Sequence, residues 1–310
     1  QTGADAIHVP SPEQARERLG GELRLALDLL DYRPFHFQKR TPRVIFCKRN
    51  GDICESALCR MSSVASYIDG LQSNGRYVFT SEELSSKRAR SQAALGAALR
   101  RLKKDGRIVS PRRGFFVIVP LEYRTAGSPP PSWFIDELMG YLDQPYYVAL
   151  LSAAAIHGAG HQQPMVFQVV TDRPTRPARA GRARIDFHMS RDAANSRTID
   201  IQTETRTMKV STPETTAFDL VKYLDPAGGV ENVAVVLGEL AERMDSERLR
   251  LSAAIFRTPD IQRLGFLLRR LQRRNLAEAL AELLSGRRFR RIPLDPDMNI
   301  RGLVLDAEWR

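Results

Sequence analysis

Residues 80–119 read TSEELSSKRARSQAALGAALRRLKKDGRIVSPRRGFFVIV, Thr80 to Val119, and the order of parts in this stretch decides the fold. Thr80 with Glu83 three residues later is a capping-box start for a short helix to about Ser86. A longer helix is predicted from about Arg90 to Lys104, because Leu95, Ala98, Leu99 and Leu102 share one face at helical spacing. Asp105-Gly106 stops it. Ile108-Val109 and Phe115 to Val119 read as short apolar strands, and Ser110-Pro111-Arg112-Arg113-Gly114 between them has turn chemistry. Short helix, turn, longer helix and hairpin are the parts of a winged helix-turn-helix.

Working outward, a helix carrying Val64, Ile68 and Leu71 precedes this stretch and stops at Asn74-Gly75, and Arg76 to Phe79 supplies a joining strand. The charge agrees with the shape. Residues 61–120 hold eleven Lys and Arg against four Asp and Glu, +7 of the chain's formal +11. Opposite its leucine stripe the longer helix presents Gln92, Ala93, Ala97, Arg100 and Lys104, with Arg88, Arg90 and Ser91 at its start. Small and polar residues there let the helix approach base edges in a major groove, while Arg88, Arg90, Arg100 and Lys104 reach phosphates. Arg112 and Arg113 stand at the wing tip. Duplex DNA is therefore the expected partner of this unit; an ordinary solvated basic face is the plainer alternative.

A chain of 310 residues, 43% hydrophobic, has room for two domains with real cores. A pI near 9.9, with the excess concentrated in one element, favours nucleic acid over a membrane surface. No apolar run approaches a membrane span and no secretory leader pattern is present, so the expected location is cytoplasmic and nucleoid-associated. Residues 1–60 contain a candidate helix, Glu13 to Leu30, and all three cysteines, Cys47, Cys54 and Cys59. Those spacings do not match a zinc site. This segment is expected to be a weakly folded or artefactual extension before Met61.

The expected domains are therefore 61–122, a winged helix-turn-helix; 123–132, a proline-rich linker; and 133–310, an α+β domain with a small sheet. In the last, helices are expected at Trp133 to Leu142 and Tyr146 to Gly158. Strands are expected at Met165 to Val170, Ala183 to Met189, Thr198 to Thr203 and Thr207 to Val210. Ser211-Thr212-Pro213-Glu214 launches a helix to about Leu224, and four more helices follow to Leu284.

Catalysis finds little support in the residues. His157 and His161 are four apart, but Gly158 and Gly160 break the helix that a zinc pair needs. Asp186, Asp200 and Glu204 lack the carboxylate pair and lysine of a metal-dependent nuclease, and prolines interrupt the strand that Asp295 and Asp297 would need. The expectation is no catalytic residue, no metal and no cofactor. Arg173, Arg176, Arg179, Arg182 and Arg184 form a second basic cluster. Its plainer reading is a solvated loop between strands; the sharper one is a wider DNA footprint.

The winged stretch ending GFFVIVP, then PPSWFIDELMGYLDQPYYVALLSAAAIHGAGHQQPMVFQVVTD, then STPETTAFDLVKY, resemble the AbiEi antitoxin family of type IV toxin–antitoxin systems tied to abortive infection and phage defence. The resemblance covers about Met61 to Arg291. It implies an antitoxin that represses its own operon by binding inverted repeats through the winged domain. It also implies a C-terminal domain that counters the AbiEii nucleotidyltransferase toxin without a stable complex. Two other readings stay open. One is a metal-dependent nuclease or nucleotidyltransferase with an attached DNA-binding domain, which requires Asp186, Asp200 and Glu204 to converge in one cleft. The other is a ligand-sensing regulator, which requires an apolar pocket with converging polar groups beside the Tyr146 helix.

Overall fold

Successive residues of a strand point to opposite faces of its sheet, so a strand that is apolar at every position has both faces covered. Phe115-Phe116-Val117-Ile118 is such a strand, and all four side chains are buried. The structure, a computed structural model, describes residues 63–87, 91–160, 164–286, 288–298, 306 and 308–309, and within them the fold is α+β. The expectations placed on residues 1–60, including the Glu13 to Leu30 helix and the three cysteines, lie outside the described residues.

The first elements are α1 (Val64–Ser73), β1 (Val78–Thr80), α2 (Ser81–Lys87), α3 (Gln92–Lys104), β2 (Ile108–Arg112) and β3 (Phe115–Ile118). The strands form an antiparallel sheet in the order β1-β3-β2. Thr80 Oγ1 accepts the Glu83 backbone N–H at 3.2 Å, which starts α2 as a cap should. Glu83 adds a tertiary role: its carboxylate takes both Nη groups of Arg76, at 2.7 and 2.5 Å, and the Tyr67 hydroxyl at 2.6 Å. Ser91 caps α3 by accepting from the Ala94 N–H at 3.3 Å. Leu99 and Leu102 are buried with Val64, Ile68, Phe79, Leu84, Phe116 and Ile118, and Leu95 and Ala98 pack against them. Each large side chain so buried contributes about 1.5–3 kcal/mol before entropy is charged against it.

The opposite face of the same sheet builds a second core. Val78, Phe115 and Val117 join Trp133, Phe134, Leu138, Val148, Val169 and Val210, residues 16 and more positions further along the chain. The stretch 123–132 lies on this core: the rings of Tyr77 and Tyr123 flank Trp133 at centroid distances of 5.0 and 5.3 Å, and Ser128 and Pro129 are buried. The described residues fall in one compact unit.

After α4 (Ile135–Tyr141) come β4 (Tyr146–Val148), α5 (Leu150–Ile156), β5 (Phe167–Thr171), β6 (Ala178–Ala180), β7 (Ala183–Met189), β8 (Thr198–Gln202) and β9 (Thr207–Ser211). They make a mixed sheet in the order β6-β7-β5-β4-β9-β8, with β5·β7 and β4·β9 parallel. Then follow α6 (Pro213–Lys222), α7 (Gly229–Leu240), α8 (Ser246–Ser252), α9 (Thr258–Arg270) and α10 (Arg274–Leu284). The sheet divides two cores residue by residue: Val148 and Val169 face the core shared with β3, whereas Tyr147 and Val170 face the helices, among Phe218, Leu237, Leu264 and Leu280.

Two local expectations are corrected. Tyr146–Val148 is a central strand and not the start of a helix, since two aromatics and a valine suit a strand flanked by β5 and β9. The chain turns into α5 through Leu150, whose left-handed φ of 49° costs about 1–2 kcal/mol and is held by burial. Arg173 to Arg184 is not wholly a loop, because Ala178–Ala180 pairs with β7 as an edge strand. Among the described residues no helix is long and apolar enough to cross a membrane.

Candidate nucleic-acid interface

The leucine stripe of α3 fixes which side of the helix looks outward. At about 100° per residue, Ala93, Ala97, Arg100 and Lys104 fall within about 60° of one another, opposite that stripe. All four are exposed, as are Ser91, Gln92 and Arg101. Among the described residues Arg100, Arg101 and Lys104 make no ion pair, whereas Arg76 holds Glu83, Arg107 pairs with Asp69, and Lys103 lies 5.1 Å over the Phe116 ring. Unpaired cations on an exposed helix face lose nothing by meeting phosphates. Arg101 was absent from the sequence-derived set and joins it on exposure alone. Ser91 Oγ is occupied by its cap, and Arg88 and Arg90 lie outside the described residues.

The two arginines of the β2–β3 hairpin part company. Arg113 is exposed at the turn of the β2–β3 hairpin, with its carbonyl accepting from the Tyr141 hydroxyl at 3.0 Å. Gly114 completes the turn at φ 82°, where an added Cβ would meet that hydroxyl oxygen at 2.5 Å. Arg112 was expected to project as well. Its guanidinium instead donates to the carbonyls of Arg176 and, at 3.0 Å, Pro177, and sits 5.5 Å over the Phe187 ring; burial lowers its pKa. The β2–β3 hairpin thus leans on the approach to β6 and on β7, and Arg112 is the strut.

The carboxylates of the nuclease reading do not converge. Asp186 on β7 pairs with Arg184, and Asp200 on β8 pairs with Lys209; β5, β4 and β9 separate their strands, about 19 Å at the usual strand spacing. Among the described residues no cluster of His, Cys, Asp and Glu could hold a metal ion. His157 is buried and its Nε2 donates to the Ser211 carbonyl at 2.7 Å; burial lowers its pKa, which keeps it neutral, and His161 lies outside the described residues. Asp295 Oδ1 accepts the Asp297 N–H in a local turn. Asp219, fully buried in α6, has its carboxyl pushed up to about 7 by desolvation, with the Tyr147 hydroxyl at 3.3 Å. A groove of about 620 Å³ does open beside α5, lined by Ile156, Met165, Phe167 and Met208. Two of its polar lining residues are already engaged: Ser152 with Val166 and Gln168, and Arg184 with Asp186.

Residues 147–270 match the family model of the AbiEi antitoxin C-terminal domain. These residues are similar to the C-terminal domain of AbiEi antitoxins. The match runs from β4 to the end of α9, so it takes in most of the six-stranded sheet and much of the helical layer, a narrower span than Met61 to Arg291. It supports an antitoxin or regulator role. The crystal structure of the RV2827C protein from Mycobacterium tuberculosis has a similar fold, with a TM-score of 0.57 and 18% identity over 78% of this chain and 88% of that one. No curated protein matches the sequence.

Proposed function

We propose that this protein is an antitoxin that also represses its own operon, reading operator DNA through a winged helix-turn-helix in which α3 is the recognition helix. The observation that carries the reading is the outward face of α3, with Arg100, Arg101 and Lys104 exposed and unpaired among the described residues, in a chain with an AbiEi antitoxin C-terminal domain. Gln92 at the first turn suits an adenine edge, Ala93 and Ala97 leave room for the groove floor, and the arginines and Lys104 reach phosphates. Operator half-sites are inverted repeats in duplex DNA. The C-terminal domain counters an AbiEii-type nucleotidyltransferase toxin without forming a stable complex with it, and the chain itself is not an enzyme. It works in the cytoplasm, at the nucleoid.

The test is a gel-shift titration with the DNA upstream of the gene at several salt concentrations. With about five to eight phosphate contacts per site, the log–log slope should be roughly −4 to −7. Gln92→Ala should relax preference at one base pair by about 1–3 kcal/mol, and Lys104→Ala should weaken every sequence equally and flatten the slope by roughly one. A slope near −1 excludes this mode of binding. Co-expression with the neighbouring gene's product tests the antitoxin half, where growth rescue without co-purification is the expected result.

A further inference from the structure

We infer that two copies of this chain associate by pairing β8 with β8, antiparallel about a two-fold axis at Ile201, so that two six-stranded sheets become one. The strand order β6-β7-β5-β4-β9-β8 leaves two edges. At one of them β6 is three residues long, and β2 of the basic unit packs against it. At the other, β8 runs Thr198-Ile199-Asp200-Ile201-Gln202 without a proline, a lysine or a bulge, and among the described residues it pairs with β9 alone. An edge so left open is a template for another strand. The Thr212 N–H donates to the Arg197 carbonyl and the Thr203 N–H to the Arg206 carbonyl, so the odd-numbered residues of β8 are the ones that bond β9. The N–H and carbonyl groups of Thr198, Asp200 and Gln202 therefore point away from the sheet.

A second copy fits this edge because the strand is complementary to itself. Arg197 and Glu204 flank β8, both are exposed, and neither makes an ion pair among the described residues. Antiparallel pairing brings Arg197 of each copy alongside Glu204 of the other, since the axis lies close to midway between them. Paired strands must also match their faces, so the axis passes through a residue and not between two. Through Asp200 it would set two carboxylates directly opposite, which destabilises a pair of strands. Through Ile199 it would leave Glu204 beyond the end of the partner strand. Through Ile201 it sets Asp200 opposite Gln202 twice, in hydrogen-bonded pairs that supply about four backbone bonds. Ile201 then meets Ile201 across the axis, on the face that packs against the shared core. The charge of Asp200 thus selects one register and does not close the edge.

The experiment is sedimentation velocity of the full chain over a range of concentrations, without DNA, so that its failure leaves the reading of α3 untouched. One strand pair buries less than about 1,000 Å², so the expected result is a weak, reversible dimer with a midpoint at roughly 10–100 μM. Asp200→Pro removes an outward N–H and spares the ladder to β9, so it should leave a folded monomer with an unchanged circular-dichroism spectrum. Arg197→Glu and Glu204→Arg should each raise the midpoint by roughly tenfold, and the two together should bring it back, which separates charge pairing from damage to the strand. The Asp200 and Gln202 amides should exchange more slowly as concentration rises, while the Ile199 amide, already bonded to β9, should not change. A chain still monomeric at about ten times the expected midpoint overturns the inference. So does a dimer that Asp200→Pro leaves intact, or one that neither charge reversal weakens. If Asp200→Pro does not fold, the charge swap and the amide exchange decide.

Discussion

The two faces of the three-stranded sheet are built by different parts of the chain. One face, Phe79, Phe116 and Ile118, is covered by α1, α2 and α3, so its partners all lie between Val64 and Ile118. The other, Val78, Phe115 and Val117, is covered by Trp133, Phe134, Leu138 and the six-stranded sheet. The first is a local core that closes cheaply in chain entropy; the second closes long loops and ties the basic unit to the AbiEi domain. The basic unit is therefore not a bead on a string. Its sheet is the meeting surface of two layers, and what disturbs the far face should be felt across the molecule.

That comparison is tested most severely by neighbouring phenylalanines. Phe115 packs against Tyr141 at a centroid distance of 5.5 Å on the shared face, and Phe116 stacks on Phe79 at 5.1 Å on the local one. Both are buried, so Phe115→Ala and Phe116→Ala should each cost about 3–5 kcal/mol. The unaltered protein should melt in one calorimetric transition, and Phe115→Ala should split it by removing the coupling. Phe116→Ala should weaken the basic unit without releasing the shared face. Two transitions in the unaltered protein, with Phe115→Ala moving only the first, would show that the two layers do not cooperate.

Next in size is a pH effect that starts in the third core. The Asp219 carboxyl is pushed up to about 7 from 3.8 by burial, so between those values the folded state holds a proton that the unfolded chain has released. Stability then falls as pH rises from about 4 to about 7 and levels off above, by up to a few kcal/mol. Asp219→Asn, which stays neutral, should remove that fall. Because Tyr147 and Val148 point from one strand into the two adjoining cores, the pH-dependent loosening should reach the Val117 amide as well as the Phe218 amide in hydrogen exchange. Loosening limited to residues 213–284 would break the idea of one cooperative unit.

The leucine stripe, the Asp105-Gly106 stop and the capping Thr80 were legible because helix signals are local, and the structure places α2 and α3 within a few residues of where they were expected. The shared core was not read, although its sign was present: Phe115 to Val119 is apolar at every position, where a half-exposed strand would alternate. Tyr146–Val148 was absorbed into the neighbouring helix because three residues are too few for a period to show. Among the site residues, Arg100 and Lys104 were legible from helical phase. Arg112 was not, since nothing in RRG tells which arginine will find two carbonyls some 64 residues away.

The smallest effects separate those adjacent arginines. Arg112 braces the β2–β3 hairpin against the approach to β6, so Arg112→Ala should cost about 1–2 kcal/mol of stability through lost charged hydrogen bonds and ring contact. It should leave the direct phosphate count of the wing unchanged, and the salt slope with it. Arg113 is exposed, so Arg113→Ala should stay within about 0.5 kcal/mol in stability. It should flatten the salt slope by roughly one, and more on operators with A·T flanks if the side chain enters a narrowed minor groove. Thermal melts and gel shifts on A·T-flanked and G·C-flanked operators give all four numbers. Equal losses on both flanks restrict Arg113 to a phosphate contact. A slope that responds to Arg112→Ala and not to Arg113→Ala means that the wing lifts off β6 when DNA binds, and the far face of the sheet is then a switch and not a brace.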